Sequence, residues 1–106
     1  MKRRKRQRLE RAGWVVSDAA TFLGLSPEET RFVELKLALA AGVRQFRERG
    51  GMTQAALAKR LGSSQSRVAK MEAGDVSVSV DLMIKSLLRV GAKTSEIATM
   101  IRTRRV

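Results

Sequence analysis

The sequence predicts an all-α domain, and three observations predict it. Good helix formers (Ala, Leu, Arg, Lys and Glu) dominate, while aromatics make up 4% of the chain and proline occurs once. Apolar residues recur at three- and four-residue steps rather than in alternation. Each such run is opened by a Ser or Thr, and all but the last are closed by a Gly, the residues that cap and stop helices. At 106 residues the chain is long enough for one domain with a modest core, and its hydrophobic fraction of 43% is ordinary for a globular protein.

The N-terminus is a charge block. Lys2, Arg3, Arg4, Lys5, Arg6, Arg8 and Arg11 stand against Glu10, a net of six positive charges in a chain whose formal net charge is +12. Charges at this density keep a segment open and solvated, and such an arm can order on phosphates or in a minor groove. Gly13-Trp14-Val15-Val16 then leads into a short helix with Ser17 as cap and Gly24 as stop. Trp14, Val15, Phe22 and Leu23 are too apolar for a free tail and are expected to pack on the helix that follows. The organisation is thus a basic arm (1–12), an extension with a short helix (13–26) and a main domain (27–106).

Ser26-Pro27-Glu28-Glu29 opens the first helix of that main domain. Ser26 caps, Pro27 suits the first helical position and Glu29 completes a capping box. The helix should run to about Arg49, ending at Gly50-Gly51. Phe32, Leu35, Leu39, Val43 and Phe46 form one apolar face, and Val33, Leu37, Ala40 and Ala41 a second. A helix apolar on two sides is sandwiched. One side is expected to pack on the helices that follow it, between Thr53 and Gly74, and the other on the Trp14–Leu23 segment or another copy of the chain. Thr53 caps the next helix, in which Leu57, Ala58 and Leu61 face inward, and Gly62 breaks it. Ser63 or Ser64 caps the third, and residues 75–78 form a loop. Ser79 caps a fourth helix, carrying Val80, Met83, Ile84, Leu87 and Leu88, which Gly91 stops. Thr94 or Ser95 starts a fifth with Ile97, Met100 and Ile101.

The segment from Thr53 to Gly74 reads as two short helices joined by a tight turn. Stepping about 100° per residue from Gln65 puts Val68 and Met71 together on one side of the second helix. Ser66, Ala69 and Lys70 fall on the other side, flanked by Gln65 and Arg67. A narrow apolar side seats the helix, and small residues let its backbone approach base edges. Gln can pair with adenine through two hydrogen bonds, and Lys can donate to guanine. That is the build of a helix-turn-helix, and a pI of about 11.6 supplies the matching electrostatics.

The Thr53-Gln54 start, Leu57-Ala58, the Gly62 turn, Gln65-Ser66 and Met71-Glu72-Ala73-Gly74 resemble the Cro/repressor-type helix-turn-helix (XRE) family over about 34–101. The resemblance implies a five-helix domain, here preceded by the basic arm and a short extra helix. It implies base contacts from Gln65, Ser66 and Lys70. Backbone contacts would come from Gln54, Arg67, Arg47 and Lys59, with Arg3, Arg4 and Arg6 added from the arm. Arg47 and Glu72 match positions that form a buried ion pair in relatives. A narrower resemblance is to the HigA-like antitoxins, carried by Phe22-Leu23-Gly24-Leu25-Ser26-Pro27-Glu28-Glu29, by 33–39, by 64–75 and by 78–82. It implies a homodimer that binds a RelE/HigB-like ribonuclease toxin and double-stranded operator DNA. Such a contact would be mainly apolar or led by Glu28, Glu29 and Glu34.

Other classes fit less well. The chain has no Cys and no His, so Cys-based zinc sites, thiolate chemistry and the commonest proton shuttle are excluded. Ser and Lys lack an activating partner, no Gly-rich phosphate loop precedes a Lys, and no cofactor site is visible, which argues against an enzyme. An RNA-binding protein using the arm would need stacking aromatics, and Trp14 and the three Phe look structural. A stand-alone regulator without a toxin is the nearest alternative. No apolar run is long enough to span a bilayer, and no apolar signal core follows the arm, so the expected location is the cytoplasm, at the nucleoid.

Overall fold

The computed structural model describes residues 21–102, which are helical and, among the described residues, contain no strand. The basic arm, Trp14 and Val15 lie outside the described residues. The chain divides into two compact units between Leu35 and Lys36. Five helices follow one another: α1 (Pro27–Arg49), α2 (Gln54–Leu61), α3 (Gln65–Ala73), α4 (Val80–Arg89) and α5 (Thr94–Arg102).

In the first unit, Thr21 to Leu23 complete a helical turn that Gly24 closes. The capping box at α1 is made: the Ser26 backbone N–H donates to Glu29 Oε1 at 2.9 Å, and the Glu29 N–H donates to Ser26 Oγ at 3.1 Å. The Ser26 backbone N–H first, and the Ser26 side chain second, favour the ionised carboxylate and hold Glu29 below the usual range. Phe22 and Leu23 do not pack as expected; they are 88% and 64% exposed. Phe32, expected on the apolar face, is 55% exposed. Periodicity places it in line with Leu39 but does not say where the neighbouring helices stop.

The second unit holds the core. Leu39 and Val43 of α1, Leu57 and Leu61 of α2, Val68 and Met71 of α3, Met83 and Leu87 of α4, and Ile97 of α5 are all buried. Val78, assigned to a loop, is buried too and anchors the entry to α4. The second face of α1 meets the end of α3, because Leu37 and Ala40 lie against Gly74. One side of α1 thus packs on the helix-turn-helix, as the sequence predicts. Buried Gly42 permits a second close approach. A Cβ there would stand 2.7 Å from Met100 Cγ and overlap its sulfur, so α5 sits on α1 where α1 has no side chain.

Helix ends follow local chemistry. Thr53, Ser64 and Ser79 each accept a hydrogen bond from the backbone N–H three residues on. Ser64 rather than Ser63 caps α3. At α5, Lys93 precedes the helix and its N–H donates to Glu96 Oε1, so Thr94 is already helical. Arg89 on α4 donates to the Leu61 carbonyl at 3.1 Å, satisfying a free acceptor at the end of α2.

Candidate nucleic-acid interface

The site is built on α2, α3 and the turn between them. Gly62 takes φ +63, the left-handed conformation that a two-helix turn of this tightness needs, and its N–H returns to Lys59 O. Ser64 is extended, which starts α3 three residues after α2 ends. Val68 and Met71, essentially without exposure, fix the roll of α3. Gln65, Ser66, Arg67 and Lys70 are consequently left exposed together, and Ala69 is half-buried at the edge of their face.

The N-terminus of α3 is positive. Ser64 satisfies the Arg67 N–H, and the Val68 N–H is bonded to Ser64 O. The first N–H groups of the helix point outward, where they favour an anion. Thr53 treats α2 in the same way through the Ala56 N–H.

Behind these helices lies a polar cluster drawn from three elements. Arg47 of α1 donates from Nε to Glu72 Oε2 at 2.6 Å and from Nη2 to Glu72 Oε1 at 3.0 Å. Its Nη1 donates to the Met52 carbonyl at 2.9 Å. Gln54, the first residue of α2, donates from Nε2 to Glu72 Oε1 at 3.2 Å. The two charged side chains are 13% and 6% exposed, so the pair is largely screened from water. Glu72 raises Arg47 above its ordinary value, chiefly through the hydrogen bond. Three of the five guanidinium N–H groups are thereby engaged; the other two, and the second amide N–H of Gln54, are not used in these bonds. Lys59 is exposed on the last turn of α2. Arg3, Arg4 and Arg6 lie outside the described residues.

Reading the sequence did not reveal three parts of this site. The Met52 carbonyl accepts from Arg47 across the α1–α2 turn, and the Gln54–Glu72 bond joins residues 18 apart; neither carries a local signature. Val76, 96% exposed in the loop that follows α3, could have been noticed as an apolar residue one step beyond the Gly74-Asp75 stop. Beside it Asp75 accepts hydrogen bonds from the Ser77 hydroxyl and backbone N–H, which hold its carboxyl below the usual carboxylate range.

Two short helices meeting at a glycine turn, the second seated by two apolar residues and exposing a polar face, define a helix-turn-helix. Residues 43–85 match the family model described as helix-turn-helix, of the Cro/C1 (XRE) type. The match runs from the last two turns of α1 into α4 and contains the whole Arg47–Gln54–Glu72 cluster. No curated protein and no solved structure matches the chain. Among the described residues no helix is long and apolar enough to cross a membrane, and no group of acids could hold a metal ion.

Proposed function

We propose that this protein is a sequence-specific DNA-binding transcriptional repressor that also serves as the antitoxin of a type II toxin–antitoxin pair. The observation that carries the DNA-binding reading is the exposed Gln65-Ser66-Arg67-Lys70 face, held in one orientation by Val68 and Met71. The match over 43–85 supports it. Gln65, Ser66 and Lys70 approach base edges in the major groove. Arg67, Lys59, Gln54 and the free donors of Arg47 hold phosphates, and the arm, through Arg3, Arg4 and Arg6, adds more. The loop after α3 has no basic residue, so the arm takes over that contact.

The antitoxin half rests on the HigA-like strings, which reach from Phe22 through the helix-turn-helix. In this reading the chain acts as a homodimer at the nucleoid, neutralises a RelE/HigB-like ribonuclease and represses its own operon.

The test is binding to the DNA upstream of its own gene, against scrambled duplex, across a salt series. A preference of about 10³ or more for the upstream DNA is the expected result. Gln65→Ala should then cost about 1–3 kcal/mol and relax base preference at one position. Equal binding to both duplexes overturns the specific-repressor reading. For the second half, co-expression with a RelE-like ribonuclease should restore growth; failure to bind it leaves a stand-alone regulator.

A further inference from the structure

The two ends of α2 are held by different means. Its start is tied through Gln54, which donates to Glu72 on α3, and Glu72 is held in turn by Arg47. Its end rests on an apolar seam. Leu57 and Leu61 of α2 line a crevice with Phe46 of α1 and with Leu87 and Val90 of α4. Apolar contact is non-directional, so the seam holds α2 down without fixing where its last turn points. One directional contact joins the same two helices. Arg89, the last residue of α4, donates from Nη1 to the Leu61 carbonyl at 3.1 Å. Among the described residues no other hydrogen bond joins α4 to α2 or α3.

Leu61 is the last residue of α2, so its carbonyl has no acceptor role within the helix. A guanidinium donor there makes a charge-assisted bond at the negative end of the helix dipole. It is also the last hydrogen bond to another helix ahead of the turn. Gly62 takes the left-handed conformation, Ser64 is extended, and Gln65 begins α3. From this we infer that Arg89 is a positioning residue for base recognition: by holding the Leu61 carbonyl it fixes the turn that presents Gln65 and Ser66. The inference rests on the DNA-binding reading above and adds to it a residue beyond the matched segment 43–85. Base edges are read by hydrogen bonds of fixed geometry, whereas phosphate contacts carry no sequence information. A shifted turn therefore costs preference more than grip. Arginine has five N–H donors and this bond uses one, so a direct phosphate contact is the rival role.

The experiment compares Arg89→Met with the parent, as full chains, on the upstream duplex and on scrambled duplex across the salt series. Arg89→Met should lower the preference for the upstream duplex about tenfold, the scale of one charge-assisted hydrogen bond, with the salt slopes unchanged. Arg60→Met removes an equal charge from α2, where Arg60 reaches the Met52 sulfur rather than the turn, and should leave the preference as it is. In the free protein, amide shifts caused by Arg89→Met should centre on 61–66 in NMR spectra, with helical content kept. Arg89→Gln, whose amide ends short of the Leu61 carbonyl, repeats the test should Arg89→Met not fold. Equal losses on both duplexes, with a slope lowered by about 0.9, assign Arg89 to a phosphate and overturn the proposal. An intact preference in Arg89→Met overturns it too, leaving the bond a helix cap and the DNA-binding reading standing. A parent without preference removes that reading and this inference together.

Discussion

At the scale of single residues, Glu72 links more of the structure than its neighbours do. One carboxylate receives Arg47 from α1 and Gln54 from α2 while itself standing on α3. The charge of Arg47 cancels it beside a surface proposed to meet phosphates. An ion pair this enclosed gives little net stability over an apolar pair, but losing one member strands the other. Glu72→Ala should therefore destabilise the fold by about 3 kcal/mol, the lower end for such pairs because Arg47 keeps some exposure. Arg47→Met combined with Glu72→Leu should recover most of that loss in urea unfolding, while the specific DNA complex stays weakened because Gln54 has lost its acceptor. If the double variant binds operator as the parent does, Glu72 is scaffolding alone and does not aim Gln54.

Among the elements, α1 and α5 pack at a point set by Gly42. Met100 occupies the space a side chain would need. Gly42→Val should lower stability by about 2 kcal/mol through overpacking, only slightly offset by better helix propensity. On a Met100→Ala background the penalty should fall by more than half in the thermal or urea midpoint, because the colliding atoms are gone. An equal penalty on both backgrounds would place the strain in the backbone of α1. This contact also shows what was legible beforehand. Caps at Thr53, Ser64 and Ser79 act over three residues, so a linear reading contains all their atoms. Val68 and Met71 were legible for the same reason: helix geometry alone brings them to one side. Gly42 carries no local signal, and Val78 reads as loop, because the partners that define them arrive from distant elements. Phe32 failed in the opposite sense. Its spacing fits the apolar face, but its burial depends on a neighbour that local pattern does not encode.

Over the whole molecule, charge and fold respond to salt in opposite ways. A net charge of +12 repels itself, and seven of the cations lie in residues 1–11. Raising salt screens that repulsion and should raise the unfolding midpoint, while the same ions compete with the protein for phosphates. Removing residues 1–11 separates the two effects. Each phosphate contact contributes about 0.9 to the slope of log binding constant against log salt, so an arm gripping three to six phosphates should flatten the slope by about 3–5. Phosphate contacts hold the protein in place without reading bases, so the preference for operator over scrambled duplex should persist while both affinities fall. A lost preference would mean that Arg3, Arg4 or Arg6 reads a groove. An unchanged slope would mean that the arm does not touch DNA, and that Arg67, Lys59 and the helix N-termini supply the whole electrostatic grip.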